Sequence, residues 1–138
     1  MRKFDNFKSH LNVLTQAKEL DIDDGFMGEI IVSGIIDKFK IQFELCWKVL
    51  KELLEHENVM IGPVGSPRNV IKAAYQYFDF MNEGIWLAML EERNRLTHVY
   101  DPTAARKAIA PILTRYIPEF QRMQAEIERL YGEELENL

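Results

Sequence analysis

The sequence is short of the residues on which several common chemistries depend. It has one cysteine, Cys46, so no disulfide can form within the chain and the paired-cysteine type of zinc site is excluded. Seven glycines and five prolines in 138 residues are too few for a loop-rich or disordered chain. No apolar run is long enough to span a bilayer. No segment alternates apolar and polar residues as a half-buried strand does. Positive charge is not in excess either. The formal net charge is −5, which gives no general attraction to nucleic acid, so any RNA contact would rest on a local basic patch. Met1-Arg2-Lys3-Phe4-Asp5 runs straight into amphipathic sequence without the apolar stretch of a signal peptide. The expected location is the cytoplasm, with no membrane contact.

What the chain does contain is helical periodicity. Phe4, Phe7, Leu11, Leu14 and Ala17 recur at spacings of three and four, and Asp21-Ile22-Asp23-Asp24-Gly25 breaks the pattern. A long helix is predicted from about Gly28 to Glu57. Its stripe of Ile31, Ile35, Phe39, Phe43, Cys46, Leu50 and Leu53, widened by Ile36, Trp47 and Leu54, suits a helix covered on more than one side. Ile61-Gly62-Pro63-Val64-Gly65 reads as a loop, and Ser66-Pro67 as a helix start, with serine as N-cap and proline at the first helical position. A short helix follows to about Tyr77, and another runs from about Glu83 to Thr97 or His98. Asp101-Pro102 ends that helix and caps the next. The last segment carries a heptad-like seam from Ala105 to Leu130, with Pro111 and Pro118 inside it, so a kink or a break is expected near one of them. The expected fold is all-α: one domain over residues 1–138, an antiparallel four-helix up-and-down bundle with a short extra helix. Residues 131–138 are expected to fray.

Chemistry concentrates in Glu91-Glu92-Arg93-Asn94-Arg95-Leu96-Thr97-His98-Val99-Tyr100-Asp101. Arginine is a permanent cation whose fork of donors suits phosphate. Histidine gives or takes a proton near neutral pH. On a straight helix Arg93 and His98 lie roughly 140° apart, so they do not face one site, whereas Asn94 and His98 share a face and Asn94 can hold the imidazole. Either the helix loosens before Pro102, or two copies of the chain share the site. A purely structural reading stands beside this one. In it Arg93 pairs with Glu92 or another acid, His98 caps the helix C-terminus and Tyr100 is a half-buried anchor. His10 and His56 have no companions at metal-ligand spacing, so no metal site is expected. Asp37, Glu44 and Glu52 read as solvated charge. Arg68, Lys72, Arg93, Arg95, Arg106 and Lys107 would form a basic cleft if their helices converge. Gly62-Pro63-Val64-Gly65-Ser66 lacks the lysine and strand context of a phosphate-binding loop.

Four runs together resemble a known family. They are Asp37 to Lys51, Gly65-Ser66-Pro67-Arg68-Asn69-Val70-Ile71, Trp86 to Asn94, and Thr97-His98-Val99-Tyr100-Asp101. In order, over about residues 4 to 130, they are similar to the nucleotidyltransferase substrate-binding proteins, small helical bundles of the HEPN superfamily related to the HepT toxins. The resemblance implies a homodimer that works beside a minimal nucleotidyltransferase and needs no cofactor. It implies metal-independent RNA cleavage by Arg93 and His98 in a cleft between protomers, with Asn94 as the polar companion of the arginine. It implies Tyr100 as the acceptor of AMP from the partner enzyme. Arg95, Arg68 and Lys72 are candidate RNA or nucleotide contacts. The alternative is a non-catalytic subunit that binds nucleotide or substrate for the transferase. The chain itself lacks the glycine-serine loop and paired aspartates that nucleotidyl transfer requires.

Overall fold

The computed structural model describes residues 1–62, 65–98 and 101–138. Pro63 and Val64 of the predicted loop, and Val99 and Tyr100 of the motif, lie outside the described residues. Among the described residues every regular element is helical. Six α-helices follow one another: α1 (Arg2–Leu14), α2 (Gly25–His56), α3 (Pro67–Tyr77), α4 (Glu83–Leu96), α5 (Pro102–Pro111) and α6 (Ile117–Tyr131). None of them is long and apolar enough to cross a membrane.

The 32-residue α2 is the central member, about 48 Å long at 1.5 Å per residue. It packs against α1, α3, α4 and α5, while α6 returns against α1. That explains the width of its apolar stripe: Val32, Ile35, Phe39, Phe43, Cys46, Val49, Leu50, Leu53 and Leu54 are all buried. Ile31, Ile36 and Trp47 are only half-buried, and Val32 takes the core position expected for Ile31. The helix begins earlier than its periodicity indicates because Gly25, at φ +48°, turns the chain straight into it. Gly28 then lies so close to the preceding loop that a Cβ would meet the Ile22 carbonyl oxygen at 2.3 Å.

The caps are local and act where the sequence places them. The Ser66 side chain accepts from the Asn69 amide at 3.2 Å, and Asp101 accepts from Thr103 at 3.0 Å. A third cap, not anticipated, is Asn82, which accepts from the Ile85 amide at 3.1 Å and opens α4.

Of the two prolines in the last segment, Pro118 accounts for the irregularity between α5 and α6. Between α5 and α6 the chain forms a π-turn, Ile112–Tyr116, whose Ile117 amide bonds five residues back to Ile112. Pro118 has no N–H for the Thr114 carbonyl, and its ring would crowd that oxygen in a regular α-helix. Widening the turn by one residue relieves the clash, so the expected kink becomes a π-bulge. The tail, expected to fray, forms a 3₁₀ turn at Gly132–Asn137, and the Met1 ammonium donates to the Leu135 carbonyl.

Candidate functional site

The last turns of α4 carry the arginine–histidine motif. The helix is apolar where it meets the core, through Trp86, Met89, Leu90 and Leu96, and charged where it leaves it. Arg93 points back against α2. Its Nη2 forms an ion pair with Glu44, its Nη1 donates to Asn94 Oδ1 at 2.9 Å, and its guanidinium lies over the Phe43 ring at 5.9 Å. Glu44 is itself held, because its second oxygen accepts from Trp47 Nε1. The Arg93 side chain is 25% exposed, so it is fixed but not sealed from solvent.

His98 lies beyond the end of the helix and is exposed. Its amide bonds to the Arg95 carbonyl at 3.3 Å, and the Thr97 hydroxyl donates to the Arg93 carbonyl at 2.9 Å. These bonds tighten the last turn, so the helix does not loosen before His98. The Asn94 amide oxygen is engaged by Arg93, not by the imidazole. Among the described residues no hydrogen bond or ion pair joins Arg93 to His98. Tyr100 lies outside the described residues.

Arg95 makes a two-point ion pair with Glu92, at 3.0 and 2.9 Å, and that bonded carboxylate raises its pKa further above the ordinary arginine value. Arg106 reaches across to α2 and the turn before it, bonding the Ile22 carbonyl at 2.6 Å and Glu29 at 3.2 Å. Arg68 and Lys72 are exposed on α3, and neither forms an ion pair among the described residues. Carboxylates from α2 and α4 thus take up Arg93, Arg95 and Arg106 of the expected basic cleft. A groove of about 420 Å³ does open beside the motif, lined by Glu29, Ser33, Asp37, Lys40, Thr97 and Asp101 among others. Among the described residues no three His, Cys, Asp or Glu side chains gather as metal ligands would. Of the other histidines, His56 pairs with Glu134 at 3.0 Å and His10 bonds Gln42 at 2.6 Å.

Glu44 is the residue of this site that the sequence conceals. Its helix position reads as solvated charge, and its partner lies 49 residues away. The one local trace is Trp47, three residues on and on the same face.

The sequence profile described as "Nucleotidyltransferase substrate binding protein like" matches residues 2–129. The chain belongs to the nucleotidyltransferase substrate-binding protein-like family. It is also similar to a probable ribonuclease HepT of Haemophilus influenzae (strain ATCC 51907 / DSM 11121 / KW20 / Rd), 23% identical over 94 residues. That alignment covers 67% of this chain and 64% of the relative, a little under two thirds of its length. The family match runs through every element from α1 to α6, so it spans both the Glu44 face of α2 and the Arg93 turn of α4.

Proposed function

We propose that this chain is a HepT-like helical partner of a minimal nucleotidyltransferase, the toxin member of a toxin–antitoxin pair, and that it cleaves RNA without a metal ion. One observation carries the reading: at the end of α4 a guanidinium is held by three neighbours, and a solvent-facing imidazole follows five residues on. Family membership and the similarity to a probable ribonuclease support it.

In this reading His98 removes the proton from an RNA 2′-hydroxyl. The 2′ oxygen attacks phosphorus, the bond from phosphorus to the 5′ oxygen breaks, and the leaving oxygen takes a proton from an imidazolium. The products are a 2′,3′-cyclic phosphate and a 5′-hydroxyl. Arg93 binds the phosphate and offsets the charge that builds on it, and Asn94 steadies Arg93. Residues five apart on a regular helix lie about 140° apart, so in this reading the working cleft is that of a homodimer, and the groove at Thr97 and Asp101 forms part of its wall. Arg95, Arg68 and Lys72 contact the RNA outside the cleavage point. Tyr100 takes AMP from the partner enzyme, adding charge and bulk two residues from His98 and repelling RNA. The protein acts in the cytoplasm. Its architecture is an up-and-down antiparallel bundle of α1, α2, α4 and the α5–α6 rod, with α3 as the short extra helix.

The test is RNA cleavage by purified protein in EDTA. Arg93→Ala and His98→Ala should each lower the rate by about 10²–10⁴-fold, the usual contribution of such groups, and end-group analysis should find cyclic phosphate. Undiminished cleavage by His98→Ala would sink the reading. Light scattering should give twice the chain mass of 16.2 kDa. A second reading, a non-catalytic nucleotide-binding subunit, takes its support from the family match, whose description is of a substrate-binding protein. It predicts that the isolated protein binds a nucleotide and leaves RNA intact.

A further inference from the structure

The Arg93 guanidinium is constrained in a way that its own helix does not require. Phe43 lies under its face, Asn94 takes Nη1, and Glu44 takes Nη2. The Glu44 carboxylate is set in turn by the Trp47 indole N–H on its other oxygen. Two residues of α2, one turn apart, thus form a rigid bracket for the end of a side chain on α4. An arginine has five N–H donors, and the bracket consumes one of them while Asn94 consumes another. The others remain for a ligand, and the side chain keeps 25% of its exposure. A flexible arginine loses side-chain freedom when it clamps phosphate; here that loss is incurred on folding, before substrate arrives.

We infer that Glu44, held by Trp47, is a positioning residue that orients Arg93 for its phosphate. This rests on the ribonuclease reading above. Glu44 does not touch the reacting atoms, and its effect passes entirely through Arg93. A carboxylate beside the guanidinium also weakens the site's general attraction for phosphate, so the bracket favours geometry over affinity. Its loss should therefore appear in kcat rather than in KM.

The experiment compares the steady-state cleavage of an RNA oligonucleotide in EDTA by full-length wild type, Glu44→Ala, Glu44→Gln, and Glu44→Gln combined with Trp47→Phe. Circular dichroism and thermal melting establish that each variant is folded. Glu44→Ala should lose roughly 10–100-fold in kcat, the scale of a small misplacement of a catalytic group, with KM changed by less than about threefold. The glutamine variant has a specific signature. Its amide oxygen can still accept from Arg93, but its NH₂ then faces the Trp47 N–H, donor against donor. Replacing that indole by phenylalanine removes the conflict, so the double variant should recover kcat relative to Glu44→Gln alone. Loss of a merely structural contact would not be repaired by a second truncation. Wild-type cleavage that is unchanged or increased in Glu44→Ala overturns the inference and leaves the ribonuclease reading standing. So does a double variant with no recovery over Glu44→Gln. A wild type that never cuts RNA overturns the ribonuclease reading, and the inference falls with it.

Discussion

Cys46 shows how burial shapes a single side chain. It is buried on the core face of α2, with its Sγ 3.4 Å from Met123 Sδ. Burial, and secondarily the nearby Glu119 carboxylate, push its thiol well above the ordinary range. Because the native pKa is raised, the stability this thiol contributes is complete below the unfolded value of about 8.5 and is lost as pH rises from there toward the native value. The urea midpoint should therefore fall from about pH 8 upward more steeply in wild type than in Cys46→Ala, even though the alanine variant starts lower. Parallel slopes would contradict this assignment. In the native protein a thiol reagent should leave Cys46 untouched until the chain unfolds. At the same scale Glu44 and Arg106 show where sequence reading stops. Glu44 reads as solvated charge and Arg106 as part of a basic cleft, yet Glu44 faces Arg93 across helices, and Arg106 reaches 84 residues back to Ile22. No spacing rule reveals such pairs, because the relative position of two helices decides them.

At the scale of elements, starts were more legible than interiors. Ser66 and Asp101 could be read as caps because the bond each makes closes within three residues. Asn82 works by the same mechanism but was masked by the apolar residues Phe78, Phe80 and Met81 before it. Asn82→Ala should cost about 1 kcal/mol, seen as a lower urea midpoint. The π-turn of Ile112–Tyr116 was not legible. Both prolines announced a disturbance, but a kink, a break and a bulge relieve the same clash. The choice among them follows from packing. The bulge keeps Ile112, Tyr116, Ile117 and Phe120 all buried, whereas a break would expose part of that seam.

For the molecule as a whole, the buried side chains form one continuous cluster, and Phe120 of α6 is its meeting point. Its ring lies 6.2 Å from Phe7 of α1 and 6.3 Å from Phe39 of α2. Trp86 of α4 meets it edge-on at 6.2 Å, and the Trp86 indole N–H is satisfied by buried Glu119 at 3.1 Å. Phe120→Ala should cost about 3–5 kcal/mol, a large part of the roughly 5–15 kcal/mol typical of a domain. Thermal melting should show a large drop; a change of only a degree or two would mean that the site collapses around the cavity. At the far end of α2, Glu57 accepts from Tyr131 and Tyr77, each at 2.9 Å. It thereby ties the ends of α2, α3 and α6 about 20 Å along α2 from Glu44, at 1.5 Å per residue.

The sequence alone determined that the chain is helical, where most helices begin, and which short run gathers arginine and histidine. Those properties depend on contacts within a few residues: periodicity, caps and prolines. Tertiary structure alone decided what surrounds the run. It set Glu44, Trp47 and Phe43 around Arg93, left His98 facing solvent, turned Asn94 toward the arginine, and paired Arg106 with Glu29 of α2. Each of these outcomes depends on the rotation and register of one helix against another, which the packing of the whole core sets.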